Sequence, residues 1–174
     1  MSYVEEIKKI REERDKFFFE SPDSPLPEEY REKKNLPYFP IDESYRVEAE
    51  LDLRSKQKEI DMVNMVGITQ SLLKAGKIKF DLKDNKNLKL ELYQDPKTKD
   101  YFILFGDATN STGETYGAGR YVVIEKEGDK FYVDFNKATS PYCSYTEKYP
   151  CPFTPKKNRL NVRIEAGEKY IGSD

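Results

Sequence analysis

Histidine and tryptophan are both absent from this 174-residue chain, and only two cysteines and three methionines are present. The lack of histidine excludes a Ser-His-Asp triad, a Cys-His pair and every histidine-based metal site. Any general acid or base must therefore be Asp, Glu, Tyr, Lys or Cys, tuned by its surroundings. Two thiols without histidine also argue against a protein-only zinc site. No long apolar run occurs and the mean hydropathy is −0.85, which leaves no candidate for a membrane-spanning helix. Neither sign of charge is in excess: 30 basic residues face 32 acidic ones, a formal net charge of −2. Such a balance supplies no bulk attraction to nucleic acid or to an anionic membrane. Met1-Ser-Tyr-Val-Glu-Glu6 lacks the apolar core of a signal peptide, so a cytoplasmic protein is expected.

What is present is charge and aromaticity. Charged residues make up 36% of the chain, against about 25% in ordinary domains. Thirteen tyrosines and ten phenylalanines supply the bulk for a core. Abundant Lys and Glu with few Gln and Cys suit a heat-adapted source. The length suits one domain, divided into a helix over 2–20, a proline-rich connector over 21–44 and a β domain over 45–174.

The period of the apolar residues separates these parts. Ser2-x-x-Glu5 has capping-box spacing, and Tyr3, Ile7, Ile10, Arg14 and Phe17 recur at helical steps, widened by Val4 and Phe18. This predicts an amphipathic helix that ends before Pro22 and packs as a lid across a sheet. Leu36-Pro-Tyr-Phe-Pro40 is apolar and extended, a plug for one end of the core. From Tyr45 the period becomes two. Tyr45, Val47, Ala49, Leu51 and Leu53 mark a half-buried strand; Ile60 to Ile68 reads as strand, and Ser71 to Ala75 as a turn closed by Gly76. Further strands are expected at Ile78 to Phe80, Leu88 to Leu92, Tyr101 to Phe105 and Leu160 to Ile164. Tyr121 to Ile124 and Phe131 to Phe135 read as a hairpin about Glu127-Gly-Asp129. Short strands joined by tight polar turns define a mainly β fold, an antiparallel β-sandwich or partly closed barrel with an N-terminal amphipathic helix.

Several ordered motifs run through the chain. They are Arg14-Asp15 with Phe17-Phe18, Ser24-Pro-Leu26, Leu36-Pro-Tyr-Phe-Pro40, Thr115-Tyr-Gly-Ala-Gly-Arg-Tyr121, Asp134-Phe-Asn-Lys-Ala138, Cys143 with Tyr145, Cys151-Pro152, Asn158-Arg-Leu160 and Ala166-Gly-Glu-Lys169. This set resembles the domain of unknown function 1684 family over nearly the whole chain. Ser140-Pro141-Tyr142 departs from the asparagine-proline that precedes the first cysteine in that family. The resemblance implies no particular activity.

The polar residues of these motifs concentrate between Asp107 and Lys169. Asp107, Thr115, Tyr116, Arg120, Asp134, Asn136, Asn158 and Lys169 fall at predicted strand ends, where sites are commonly built. Arg120, directly after Gly119, could hold a small anionic ligand by its planar guanidinium, or could simply pair with Asp134 or Glu165. Asp134 and Glu165 could instead act as paired carboxylates in a histidine-free hydrolase, or join Asp107 around a divalent cation. Cys143 and Cys151 flank a tyrosine-rich loop and could form a disulfide or remain two buried thiols. Three readings follow: a small-molecule-binding β domain, a hydrolase using Asp or Glu, and a structural or protein-interaction module.

Overall fold

The computed structural model describes residues 1–63, 69–146, 148–149 and 154–173, with residues 61–63 and 69–71 described as backbone only. Helix α1 spans Tyr3–Glu20 and starts with the predicted capping box: the Glu5 N–H donates to Ser2 Oγ at 3.2 Å, and Glu5 Oε2 accepts from the Ser2 N–H at 3.0 Å. It stops at Ser21 because Pro22 follows.

The face that α1 turns inward is rotated from the expected apolar stripe. Ile7 and Phe18 are buried and Tyr3, Arg11 and Arg14 half-buried, whereas Ile10 and Phe17 are 37% and 38% exposed. The inward stripe is thus Tyr3-Ile7-Arg11-Arg14-Phe18, still at steps of four and three but carrying two arginines. Aromatic faces accommodate their stems. The Arg11 guanidinium lies 4.5 Å from the Tyr38 ring centroid and that of Arg14 4.5 Å from Phe18.

Seven antiparallel strands follow: β1 Arg46–Val63, β2 Thr69–Leu82, β3 Asn85–Gln94, β4 Tyr101–Phe105, β5 Arg120–Val123, β6 Glu125–Glu127 and β7 Lys130–Asp134. Their order in the sheet is β5-β4-β3-β2-β1-β7-β6. The two edge strands, β5 and β6, are separated in sequence by Ile124 alone. One residue cannot span an open seven-stranded sheet, because neighbouring strands lie about 4.8 Å apart. The sheet therefore curls into a nearly closed barrel, one of the two predicted forms. A bridge from Tyr121 to Thr139 helps to close the seam.

Three local expectations change. Ser71 to Ala75 is part of β2, paired with β1 through Lys58↔Lys74 and its neighbours, and Gly76 marks a bulge. Its φ is +150°, and a Cβ there would sit 2.1 Å from the Asp52 carbonyl oxygen. The hairpin is formed by β6 and β7 around Gly128, while β5 pairs with β4. Leu160 to Ile164 bends at Asn161 and Val162 and joins no strand ladder. It runs beside 106–108 through the Leu160 N–H to Gly106 O and the Ala108 N–H to Val162 O, and it buries Ile164 and Ala166 in the core with Phe80, Phe105, Val133 and Phe135. Of the expected strand from Ile60 to Ile68, residues 60–63 lie in β1 and 64–68 lie outside the described residues.

A second cluster, Phe18, Leu26, Leu36, Tyr145 and Ile171, fastens α1 and the proline-rich connector to the barrel. In the 36–40 segment Leu36 and Phe39 are buried and Tyr38 is bridged to Glu168; Leu36 joins this second cluster rather than the barrel core. No described helix is long and apolar enough to cross a membrane.

Candidate functional site

The predicted polar residues resolve into separate centres. In the first, residues 164–166 lie in no strand ladder, so buried side chains bond their backbone instead. Arg120 is 1% exposed. Its Nη2 donates to Ile164 O at 2.9 Å and its Nη1 to Ala166 O and to Glu168 O at 3.3 Å. These three carbonyls converge on the guanidinium, the last of them after the chain bends at Gly167, whose φ is +79°. Asp107 bonds the same segment, accepting the Ile164 N–H at 2.7 Å and facing Arg120 Nη2 at 3.5 Å. Burial pulls the Arg120 pKa down, opposed by the charges of Asp107 and Glu168. Gly119 permits the approach: with φ +105°, a Cβ there would lie 2.6 Å from Phe105 O.

Around this pair the 107–116 loop bonds to itself. Thr109 Oγ1 donates to Asp107 and lies 2.8 Å from Thr115 Oγ1. The Asn110 amide accepts from the Asp107 N–H and donates to Thr115 Oγ1 and Tyr116 O. The Tyr116 ring packs against Tyr170, 5.4 Å between centroids.

Asp134 and Asn136 form a second centre, at the start of α1. Both are buried. The Tyr3 hydroxyl donates to the Asp134 carboxylate at 2.7 and 2.9 Å, and the Asn136 N–H adds a third bond at 3.1 Å. The Asn136 side chain accepts from the Asp42 N–H and donates to Asp42 O. Burial raises the Tyr3 hydroxyl well above its ordinary pKa, reinforced by Asp134.

Asn158, fully buried, makes a third. Its Oδ1 accepts from the Glu91 N–H at 2.7 Å, and its Nδ2 donates to the carbonyls of Glu91 and Leu104. The amide thus reproduces a strand's donor and acceptor between β3 and β4. Lys169 stands apart, half-buried with its ammonium 5.4 Å from the Phe39 ring.

Glu165 is exposed beside Arg163, 3.5 Å away, and shares no partner with Asp134. Among the described residues no group of three or more Cys, Asp or Glu gathers as a metal would require. Cys143 is half-buried, and Cys151 lies outside the described residues, so their pairing is not described.

A fourth centre was not anticipated. Glu168 is 0% exposed and lies under the inward face of α1. Its carboxylate pairs with Arg14 Nη2 at 3.0 Å, accepts from the Tyr145 hydroxyl, and accepts from the Ser140 N–H at 3.2 Å. Tyr38 stands alongside through the 38↔168 bridge, with Arg11 stacked on its ring. Burial raises Glu168 to about 7, against the pull of Arg14, the Ser140 N–H and Arg120. Beside it Arg14 Nε, Tyr38 OH and Ser140 Oγ, and Arg11 Nε and Nη2 on the far side of Tyr38, are buried with no hydrogen-bond partner among the described residues. A broad surface depression elsewhere, between Glu48–Leu51, Lys79–Asp81 and Lys130–Phe131, contains none of these groups. Exposed charges in an open hollow are ordinary surface; buried polar groups lacking partners are not.

The class of protein is therefore a nearly closed antiparallel β-barrel, covered by an N-terminal helix and tied internally by buried Arg–carboxylate pairs. Residues 31–169 match the family model described as "Protein of unknown function (DUF1684)", and the chain belongs to that family. It is also similar to an uncharacterized protein of Haloarcula marismortui with a solution NMR structure: 30% identity, a TM-score of 0.73, and coverage of 96% of this chain and 94% of that one. No curated protein matches.

Proposed function

We propose that the protein is a small-molecule-binding β domain whose ligand sits at the helix-covered centre of Arg14, Tyr38, Ser140, Tyr145 and Glu168. One observation carries this reading: of the ten buried side-chain atoms without a partner among the described residues, five (Arg14 Nε, Arg11 Nε and Nη2, Tyr38 OH and Ser140 Oγ) belong to residues at this centre or stacked beside it. Leaving such groups unbonded costs about 1–3 kcal/mol each, so their recurrence in one place argues for a bonding partner. Most are donors, which favours a ligand rich in oxygen acceptors, as the anionic class expected for Arg120 would be.

In this reading Arg120 and Asp107 form the wall that fixes Glu168, with Thr115 and Tyr116 behind them, while Lys169 stays apart against Phe39. Asp134, Asn136 and Asn158 hold the helix and the strands in register. Helix α1 is the cover, and a ligand enters when its C-terminal half lifts. The interaction-module reading draws on a different observation, the exposed rings of Phe17, Tyr142 and Tyr149.

The test is calorimetric titration and thermal shift with formate, acetate and sulfate, comparing wild type with Arg14→Gln. A ligand at 100 times its Kd adds about 2.7 kcal/mol of stability when it binds the folded state alone. Stabilisation of wild type that Arg14→Gln abolishes is the expected result. Equal responses in both proteins would remove the site from this centre.

A further inference from the structure

An anion entering this centre would meet a buried carboxylate, Glu168. Resting on the binding reading, we infer that an oxyanion enters together with a proton, and that Glu168 holds the proton in the loaded state.

The geometry is the ground for this. Glu168 occupies the place an anion would take: it already accepts from Arg14 Nη2, the Tyr145 hydroxyl and the Ser140 N–H. While Glu168 is ionised, the charge of Arg14 is matched by it. A second oxyanion would meet a like charge in a dry setting, where repulsion is strong. Once Glu168 is protonated, Arg14 is released to the incoming anion and the carboxyl O–H becomes a further donor. The donors without partners, Arg14 Nε and Ser140 Oγ among them, then face an acceptor.

The groups surrounding Glu168 agree with this. Helix α1 contributes Arg14, and behind it Arg11 and Asp15; the 36–40 segment contributes Tyr38; the loop after β7 contributes Tyr145; β5 contributes Arg120. Arg120 is matched by Asp107, and Asp15 accepts the Leu36 N–H. Tyr38 is held neutral by burial and by Glu168 itself. Glu168 is thus the group whose charge can change near neutral pH, and burial places its titration at about 7. Protonation makes the centre one charge more positive, and the anion restores the balance.

The experiment is isothermal titration with formate, acetate and sulfate from pH 6 to pH 9, where all three stay fully ionised. Each titration at pH 8 is repeated in two buffers of different ionisation enthalpy. For wild type, Kd should rise towards tenfold per pH unit above 7 and level off below it, with close to one proton taken up per anion at pH 8. A carboxylate-specific site responds to formate and acetate alone, a general oxyanion site to sulfate as well. Glu168→Gln, fixed in the neutral form, should bind with a Kd independent of pH. Binding in wild type without pH slope or proton uptake overturns this inference and leaves the binding reading standing. A slope that survives in Glu168→Gln also overturns it. No binding of any of the three at pH 6 removes the binding reading and this inference together. The wild-type slope and proton count need no variant, so the test stands if Glu168→Gln fails to fold.

Discussion

Two buried ion pairs meet at the same C-terminal segment, and they differ in how completely they are bonded. Asp107–Arg120 is closed: three carbonyls, two backbone N–H groups, two threonines and an asparagine surround it, and Arg120 Nε is its one polar atom without a partner among the described residues. Glu168–Arg14 is open: Arg14 Nε, the neighbouring Arg11 Nε and Nη2, Tyr38 OH and Ser140 Oγ all lack partners among the same residues. The first pair lies within the barrel and its C-terminal segment, whereas the second reaches across to a helix. Complete bonding stabilises one arrangement; incomplete bonding at a movable boundary is what a ligand site needs before it is filled. An arginine among glycines is therefore no guide by itself, because the same residue type serves both ends.

The sharpest way to break the comparison is Arg120→Met. It keeps much of the side-chain volume but leaves Asp107 buried without its cation and three carbonyls without a donor. Removing one partner of a buried pair costs about 3–5 kcal/mol. Urea denaturation should show a loss of that size. A loss below about 1 kcal/mol would mean that the closed pair is not architectural.

A smaller effect separates the two pairs by pH. The folded Glu168 carboxyl titrates at about 7, above its ordinary 4.5. The native state thus holds this proton where the unfolded state has released it. Its contribution is fully present below pH 4.5, declines as pH rises through the 4.5–7 window, and is constant above it. The decline is at most about 1.4 kcal/mol per pH unit. Denaturation of wild type and Glu168→Gln across pH 4.5–8 should differ by that slope, which the variant lacks. Parallel curves would place Glu168 with the closed, fully bonded carboxylates.

What could be read in the sequence follows from whether the signal is local. The capping box of Ser2 and Glu5 and the alternation over Val47, Ala49 and Leu51 each lie within a few residues and appear in the structure, whereas Tyr45 falls in a short 3-10 turn before β1 and Leu53 is 44% exposed. Leu160 to Ile164 misled because alternation reports which side chains are buried, not what bonds the backbone. There Asp107 and Arg120 stand in for a strand. The inward stripe of α1 was displaced towards Ile10 and Phe17 because apolar scoring discounts arginine, although Arg14 already lay on the periodic face. Glu168 lay within one of the ordered motifs, Ala166-Gly-Glu-Lys169, as Arg14, Tyr38 and Tyr145 lay within others, but nothing local marked it as buried. Gly167-Glu-Lys169 reads as surface, and it is buried by contacts distant in the chain: Arg14, 154 residues away, Ser140, 28 away, Tyr145, 23 away, and the bridge to Tyr38.

Tyr3→Phe asks whether α1 is a cover distinct from the barrel. The hydroxyl donates to both oxygens of Asp134 and accepts from Asn136 Nδ2 at 2.9 Å, and a hydrogen bond to a charged group is worth about 1.5–3 kcal/mol. Asp134 keeps two bonds from Asn136, so the cost should fall near the lower figure. Its distribution is more informative than its size. If α1 opens apart from the barrel, amide hydrogen exchange in residues 5–18 should accelerate by about tenfold for each 1.4 kcal/mol lost. Exchange in β2 and β3 would then stay at the wild-type rate wherever it proceeds by local opening. Matched acceleration in helix and strands would show one cooperative unit, with no cover to lift, and the open pair at Glu168 would lose its route to a ligand.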